Sequence, residues 1–317
     1  SDGSALELTV SGAATNAAGN LFDMNDGRIQ LLGGTEFVNN GTFEIGENGS
    51  VPIWADSQTD LNNKITNNGT FTVNSAQFRL YVTLTNTATG ILNIDNPGGM
   101  GAAEIQLKAP QGIGTGGEIV NQGTLNISGT STIFNDSGSI TNASGGIIHS
   151  SSNVEMKDST SLVNQSGGVV NFNSGEFRLD QATMTNEGGA IWNLVDGSLN
   201  LINGGSATSA GTTNLIDTDY TIEGTGTLTN DGTLNLTPNS ADRDLVLNTT
   251  LRNNGTTNYS LADDHFILSG SGNFENAGTF EHIKGSGNDN LHLNNFTFNN
   301  LSGGVYRFHG GGDIEIS

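Results

Sequence analysis

The hydrophobic and polar positions of the chain follow one short repeat along almost its whole length. Its clearest copy is residues 37–45, where apolar and polar residues alternate after an Asn-Asn-Gly-Thr segment. Close copies begin at the residues Ile65, Ile119, Leu228, Leu251 and Phe274. A second form, with two additional residues, begins at the residues Ile140, Leu162, Met184 and Phe298. Because alternation places every second side chain on one face of an extended chain, each copy predicts short β-strands around a corner.

One asparagine in each copy marks the period of the repeat. These anchor positions are Asn16, Asn39, Asn67, Asn86, Asn121, Asn142, Asn164, Asn186, Asn230, Asn253, Asn276 and Asn299, with Ser209 in the one gap. From Asn121 onward they are 21 to 23 residues apart, which suits one turn of short strands and is too short for a pair of helices. A further apolar-polar-apolar stretch lies between copies, as in residues 78–80 and 199–201. The sequence therefore predicts three strands per turn, with Gly and Asn at corners where they tolerate positive φ.

The repeat predicts an all-β fold, namely a right-handed parallel β-helix (β-solenoid). It would contain about 13 turns of 21–23 residues, with three short strands per turn and the usual handedness of parallel crossovers. We expect columns of buried apolar residues and a ladder of anchor amides that hydrogen-bond along the stack. Residues 1–317 are interpreted as a single β-solenoid domain. Residues 6–8 and 314–316 occupy the same phase of the repeat, which indicates a window of a longer repeat array.

Two intervals between anchors are longer than the others and predict inserted loops. Asn39 and Asn67 are 28 residues apart, and Asn86 and Asn121 are 35 residues apart. The additional residues lie near 46–62 and 95–117 and include three of the four prolines. Since proline cannot donate a hydrogen bond to a ladder, we expect both loops to lie outside the stacked strands. Loops on a rigid scaffold commonly carry recognition, so any ligand site is expected there.

The candidate ligand-binding residues come from these two loops. They are Trp54, Asp56, Asp60, Met100 and Lys108. A tryptophan beside carboxylates suits a sugar, because the ring stacks on it and the carboxylates accept hydrogen bonds from its hydroxyls. In the alternative interpretation the first loop folds back and Trp54 covers the flank of the solenoid.

The composition excludes several classes of partner. The formal charge is -22, from 32 acidic and 10 basic residues, whereas nucleic acid and anionic membrane surfaces require a basic face. No cysteine is present, so neither disulfides nor thiolate sites can form. No apolar stretch approaches the roughly 18 residues of a membrane helix, so we expect no membrane insertion of this segment. Cations and neutral ligands remain compatible with the charge.

Acidic residues suggest calcium as the only candidate cofactor. Aligning the downstream strands gives one polar column, composed of Gln77, Glu104, Asn153, Glu176, Ser198, Asp219, Asp244, His265, Asn290 and Asp313. Asp219 and Asp244 would be about 5 Å apart, which suits a solvated acidic face, a glycosidase carboxylate pair or a shared Ca²⁺. Asp289 lies in residues 285–291, which match most of a glycine-rich calcium repeat. Calcium is therefore assigned to these three aspartates as a candidate, and no other cofactor is expected.

The tandem units resemble the parallel β-helix repeats of bacterial surface and secreted proteins. Asn-x-Gly-Thr and Asn-x-Ser-Gly-Gly units carry this resemblance over about residues 5–317, and filamentous-haemagglutinin-like adhesins and autotransporter passengers contain such repeats. The resemblance implies an extracellular or cell-surface structural or adhesive rod. Its partner would be a host or environmental glycan or a surface protein.

The alternative function is a polysaccharide-degrading β-helix enzyme, either a lyase or a glycoside hydrolase. Such an enzyme would concentrate acidic residues with basic or aromatic residues on a few neighbouring turns. Outside the two predicted loops, these residues are spread evenly along the chain. This even spread favours the structural and adhesive interpretation, and no catalytic residue is assigned.

Overall fold

The computed structural model describes most of the chain as two compact units. The described residues are 7–24, 28–46, 50–55, 63–74, 77–96, 102–108, 117–216, 220–237, 243–260, 266–283, 291–295, 297–309 and 314–316. Unit 1 is Ser1–Val163 and unit 2 is Asn164–Ser317. All regular secondary structure in the described residues is β-strand.

The strands of unit 1 are short, and most contain four or five residues. They are β1 Glu7–Val10, β2 Ala14–Asn16, β3 Leu21–Met24, β4 Arg28–Leu31, β5 Glu36–Asn39, β6 Thr42–Ile45, β7 Ser50–Ala55, β8 Lys64–Asn67, β9 Thr70–Val73, β10 Gln77–Leu80, β11 Thr83–Asn86, β12 Ile91–Asn96, β13 Ala103–Leu107, β14 Glu118–Asn121, β15 Thr124–Gly129, β16 Ser131–Asn135, β17 Ser139–Asn142, β18 Ile147–Ser150, β19 Asn153–Lys157 and β20 Ser161–Asn164.

Unit 2 continues the same pattern, with two longer strands that run through a corner. Its strands are β21 Val169–Phe172, β22 Glu176–Asp180, β23 Thr183–Asn186, β24 Ile191–Leu194, β25 Ser198–Ile202, β26 Ser206–Ser209, β27 Thr212–Ile216, β28 Tyr220–Asn230, β29 Thr233–Thr237, β30 Arg243–Asn253, β31 Thr256–Ser260, β32 Phe266–Ser269, β33 Asn273–Asn276, β34 Thr279–Ile283, β35 Leu291–Asn294, β36 Thr297–Asn300, β37 Val305–His309 and β38 Ile314–Ile316.

Within each unit, the strands form three rows in which equivalent strands of successive turns pair in parallel. In unit 1 the first-strand row is β1, β4, β7, β10, β13, β16 and β19, the anchor-strand row is β2, β5, β8, β11, β14, β17 and β20, and the third-strand row is β3, β6, β9, β12, β15 and β18. In unit 2 the third-strand row is β21, β24, β27, β29, β31, β34 and β37, while β28 and β30 each supply a first strand and an anchor strand. This arrangement confirms the predicted all-β parallel solenoid with three strands per turn. Its right-handedness stays a prediction.

The core consists of inward side chains that stack on their counterparts in the next turn. In the third-strand row of unit 1, the rings of Phe22, Phe43 and Phe71 stack with centroid distances of 5.0 and 4.6 Å. In unit 2, Phe177 and Leu199 are paired across neighbouring first strands and are almost fully buried. Each such side chain contributes about 1.5–3 kcal/mol by leaving water. The alternation seen in the sequence is therefore the pattern of core and surface.

The anchor asparagines form an internal ladder in each unit, as predicted. In unit 1, each anchor Nδ2 donates to the Oδ1 of the anchor in the next turn at 2.7–2.8 Å, at Asn16, Asn39, Asn67, Asn86 and Asn121. The same amide also donates to the carbonyl that begins the next third strand, as Asn39 does to Thr70 O at 2.8 Å. Most anchors are fully buried. Because every buried amide needs partners, this ladder fixes which residues of successive turns stand level.

One anchor differs from the predicted set. Asn276 Nδ2 donates to Asn300 Oδ1 at 2.6 Å, and the strand register places Glu275 opposite Asn299. The prediction of Asn299 as an anchor is therefore wrong, and Asn300 is the anchor. The two are adjacent asparagines, and the inward phase is set by Phe298, which pairs with Phe274.

The ladder of unit 2 is interrupted at Ser209. Asn186 Nδ2 donates to Ser209 Oγ at 3.0 Å, and Thr213 Oγ1 donates to the same oxygen at 2.8 Å. In the next turn, Asn230 Oδ1 is buried and has no hydrogen-bond partner among the described residues. A serine side chain is shorter than an asparagine side chain, so its hydroxyl does not reach the following turn.

Replacing Ser209 with asparagine is expected to raise the free energy of unfolding by about 1–2 kcal/mol, because the new amide would donate to Asn230 Oδ1. In the next turn, the anchor Asn230 packs beside Leu234, and the residue equivalent to Leu234 beside Ser209 is the smaller Thr213. The site of Ser209 therefore has room for an asparagine side chain. Urea denaturation measures the change. Ser209→Ala is the control and should lower stability, since Asn186 would lose its acceptor. A lower stability of Ser209→Asn would contradict the ladder geometry.

The stretches predicted as inserted loops contain strands of the first-strand row. Ser50–Ala55 forms β7, which pairs with β4 and β10, and Ala103–Leu107 forms β13, which pairs with β10 and β16. The prediction that the whole of 46–62 and 95–117 leaves the stack is therefore wrong at these two strands. Pro52 removes only one donor from β7, and the other residues keep the register. The remainder of both stretches, apart from residues 46, 95–96, 102, 108 and 117, lies outside the described residues.

Close stacking at the corners requires glycine. A Cβ atom on Gly69 would lie 2.1 Å from Gly41 O, the equivalent corner of the preceding turn. No side chain fits at such a distance, so the Asn-Asn-Gly-Thr corner repeats wherever turns stack this way.

Candidate ligand-binding surface

The first-strand row of unit 1 brings residues from both predicted loops to one face. Trp54 lies in β7, where Pro52 stands level with Arg79 of β10. Lys108 follows β13 directly, and its backbone N–H donates to Leu80 O at 2.9 Å. Neighbouring strands in a sheet are about 4.8 Å apart, so the backbones of Trp54 and Lys108, two strands apart, are separated by about 10 Å.

Polar side chains of the intervening strands complete this surface, which we name the first-strand patch. The patch consists of Gln77, Arg79, Tyr81, Glu104, Gln106, Lys108 and Asn135, and the backbone of Trp54 lies in the neighbouring strand β7. The register places Gln77 opposite Glu104, and Gln106 opposite both Arg79 and Asn135. Three successive strands thus present amide, guanidinium and carboxylate groups side by side.

A hydrogen-bond network holds the polar side chains of the patch in place. Arg79 Nε donates to Gln106 Oε1 at 2.8 Å, and Arg79 Nη2 donates to Gln77 Oε1 at 2.8 Å. Glu104 accepts from Gln77 Nε2 at 2.9 Å and from Asn135 Nδ2 at 2.7 Å. Side chains that are already ordered lose little conformational entropy when a ligand binds.

Two amides of the patch are buried in this network. Gln106 is 8% exposed and Asn135 is 7% exposed. Asn135 Oδ1 is buried and has no hydrogen-bond partner among the described residues. The guanidinium of Arg79 carries five N–H donors, of which the network bonds use two. The patch therefore retains donor capacity at Arg79.

The patch contains charges of both signs. Partial burial raises the pKa of the Glu104 carboxyl, but hydrogen bonds from Gln106, Asn135 and Gln77 and the charge of Lys157 outweigh it and hold this pKa below its usual range. Lys108 Nζ lies 3.3 Å from Asp136 Oδ2. Glu104 is therefore ionised at neutral pH, and its negative charge offsets one of the two positive charges of the patch.

The predicted site residues fall into two groups. Lys108 belongs to the first-strand patch and Trp54 lies in the neighbouring strand β7, whereas Asp56, Asp60 and Met100 lie outside the described residues. The sequence analysis did not assign Arg79, Gln106 or Asn135 to the site. A signal was available for Arg79 and Gln106, since residues 77–80 and 104–107 share one polar-apolar alternation. The same phase puts their polar side chains on one face.

The predicted polar column is wrong at three points. Glu104 stands level with Ile133, while Asn153 stands level with Ser131. Ser198 stands level with Thr221, so its column does not reach Asp219.

The third error concerns Asp244. This residue stands level with Ile267, so His265 does not follow it in the column. The sequence alignment passed directly from Glu104 to Asn153 because Ser131–Asn135 was not recognised as the strand β16. It placed Asp219 level with Ser198 because Tyr220 was aligned with Leu199, whereas Ile222 is the partner of Leu199.

The calcium prediction is not tested by the described residues. Asp219 and Asp289 lie outside them, and for Asp244 the structure describes only the backbone of β30. Within the described ranges, no three His, Asp or Glu side chains are grouped closely enough to hold a metal ion. Calcium at these aspartates stays a prediction.

Comparisons with known proteins identify no family. No family model and no curated protein matches the chain. Among solved structures, the crystal structure of a TibC-catalysed hyper-glycosylated TibA55-350 fragment is similar, with 14% sequence identity and a TM-score of 0.28 over 96% of this chain and 100% of that chain. We draw no functional conclusion from a match at this TM-score. In the described part of the chain, no helix is long and apolar enough to span a membrane.

Proposed function

We propose that the chain is an extracellular or cell-surface structural and adhesive β-solenoid that binds a neutral glycan at the first-strand patch. The observation that carries the proposal is the register of β7, β10 and β13, which brings Trp54, Arg79 and Lys108 to one face. Sugar sites combine an aromatic ring with a few fixed hydrogen-bonding groups, and this face offers both residue types.

The network around Arg79 supports a glycan as the ligand class. Sugar hydroxyls both donate and accept hydrogen bonds, and the patch supplies guanidinium and amide donors beside amide and carboxylate acceptors. Because the network fixes these groups before binding, their positions do not depend on the ligand.

The charge distribution favours a neutral glycan over an acidic one. Lys108 is paired with Asp136, and the Arg79 guanidinium is hydrogen-bonded to Gln77 and Gln106, so neither cation is an isolated anion site. The whole chain carries a formal charge of -22, which repels acidic polysaccharides.

The structural role is supported by the internal asparagine ladders and the stacked core. Repeated turns with identical corners make each turn depend on its neighbours, and such scaffolds hold surface residues at fixed spacings. We propose that the stacked turns act as the spacer and that the first-strand patch provides adhesion.

A glycan array carrying neutral and sulfated oligosaccharides tests this function. Wild-type protein should bind neutral oligosaccharides, and Arg79→Met should weaken that binding by at least about tenfold, since the guanidinium donors are lost while the aliphatic stem remains. Arg252→Met is the matched control, because Arg252 forms an exposed ion pair with Glu275 in unit 2.

Circular dichroism should show the same β-sheet signal for all three proteins. Unchanged binding by Arg79→Met, or binding confined to sulfated glycans, would overturn the proposal. A parallel test for cleavage of the bound oligosaccharides addresses the alternative enzyme, since a shortened product would show hydrolase or lyase activity.

A further inference from the structure

A second regular surface lies on unit 2, on the outward side of the third-strand row. We name it the amide face. It consists of a column of asparagines, Asn171, Asn193, Asn214, Asn235 and Asn258, and a column of β-branched residues, Val169, Ile191, Thr212, Thr233 and Thr256. In each of five successive strands, one residue of the first column and one of the second stand two positions apart. All of these side chains are at least partly exposed.

The asparagines of the amide face form an external ladder. Asn193 donates to Asn171 Oδ1 at 2.7 Å, Asn214 to Asn193 at 2.7 Å, Asn235 to Asn214 at 2.8 Å and Asn258 to Asn235 at 3.0 Å. Each amide donates toward the preceding turn, opposite to the internal ladder. The ladder therefore fixes the orientation of every amide on an exposed surface.

The ladder leaves hydrogen-bonding groups unused. An asparagine amide has two N–H donors, and in Asn193, Asn214, Asn235 and Asn258 only one of them has a partner among the described residues. Each of these four turns therefore presents one free donor beside the methyl groups of a β-branched side chain.

The amide face is uncharged. Among the described residues of β21, β24, β27, β29 and β31, none is Asp, Glu, Lys, Arg or His. The same row in unit 1 carries Asp23 and Glu44, and in unit 2 the next strand begins an ion pair between Glu281 and Arg307. On a chain with a formal charge of -22, five successive uncharged strands form a face that suits a neutral ligand.

We propose that the amide face binds an extended neutral polysaccharide. The polysaccharide crosses the strands in the direction in which the turns stack, with one sugar unit per turn. Neighbouring strands repeat at about 4.8 Å, which is close to the length of one sugar unit in an extended β-1,4-linked chain. The C–H groups of each ring would contact the β-branched column, and its hydroxyls would bond the free amide groups. This site is separate from the first-strand patch and does not rest on it.

A length series of oligosaccharides tests the proposed alignment. Isothermal titration of β-1,4-linked gluco- and manno-oligosaccharides of two to six units should show affinity that rises with each unit up to about five, the number of ladder asparagines, and gains at least about tenfold from two units to five. Affinity that does not depend on length, or no binding of any member of the series, would overturn the proposal.

Substitutions locate the binding on unit 2. Asn214→Asp keeps the side-chain size, removes the donors and adds a charge, so affinity for the five-unit oligosaccharide should fall by at least about tenfold. Thr229→Asp is the matched control, because it adds the same charge on the anchor-strand row of the same unit. Arg79→Met should leave this binding unchanged, which separates it from the function proposed for the patch.

A second variant covers the case in which Asn214→Asp disturbs the ladder. Thr233→Tyr leaves all five amides in place and raises a ring above the face, so it should block the same oligosaccharide. Circular dichroism and the thermal midpoint report whether each variant is folded. Wild-type affinity in a folded Asn214→Asp or Thr233→Tyr protein would contradict the proposed site.

Discussion

Replacing the buried anchor Asn253 with alanine is expected to lower the free energy of unfolding by about 3–6 kcal/mol. Asn253 Oδ1 accepts from Asn230 at 2.7 Å, and its Nδ2 donates to Asn276 Oδ1 at 2.8 Å and to Thr279 O at 3.0 Å. The substitution leaves one buried donor on Asn230 and one buried acceptor on Asn276 without partners, and it removes a part-buried hydrogen bond to Thr279 O. Each such group costs about 1–3 kcal/mol, and the midpoint of urea denaturation measures the sum.

The adjacent residue provides the control for this prediction. Asn254 has the same side chain, is exposed at the corner and donates to Asp231 Oδ1 at 2.8 Å. Because water replaces an exposed hydrogen bond, Asn254→Ala should change stability by less than about 0.5 kcal/mol. Similar losses for the two substitutions would mean that the internal ladder does not stabilise the fold.

The substitution Leu199→Ala is expected to cost about 2–5 kcal/mol. Leu199 is fully buried and stands between Phe177 of the preceding turn and Ile222 of the following turn. The backbone hydrogen bonds of both neighbouring strands hold these turns at a fixed spacing, so the cavity cannot close. The free energy of unfolding from urea denaturation checks this value.

An exposed aliphatic residue serves as the comparison for Leu199. Ile191 lies on the amide face and is 38% exposed, so Ile191→Ala removes little buried area and should cost less than about 1 kcal/mol. Equal costs at the two positions would contradict the assignment of inward and outward faces.

The sequence was sufficient to predict the fold because its local signals agree with one another. Alternation sets the strands, the Asn-Asn-Gly-Thr segment sets the corner, and the spacing of anchors sets the turn. Each signal has one physical cause, for example the internal ladder at Asn121 and Asn142. Because the pattern is repeated many times, its period can be recognised even where a single copy is irregular.

The candidate site was only partly predictable, because it lies where the pattern is irregular. In β16 the buried residue is Thr132 and the half-buried one is Ile133, which reverses the usual preference and concealed the strand. Pro52 in β7 concealed another strand in the same way. Recognising the first-strand patch required the register of these strands, and that register depends on the neighbouring turns rather than on local preference.

The central claim, that the first-strand patch binds a neutral glycan, is tested most directly by hydroxyl-radical footprinting with and without the oligosaccharide that gives the strongest neutral signal on the array. Tyr81 belongs to the patch, Trp54 lies in the neighbouring strand β7, and Tyr306 lies in the last described turns of unit 2. The oligosaccharide should reduce oxidation of Trp54 and Tyr81 by several-fold, and oxidation of Tyr306 should not change. Unchanged oxidation of Trp54 and Tyr81 at a saturating concentration of this oligosaccharide would contradict the claim.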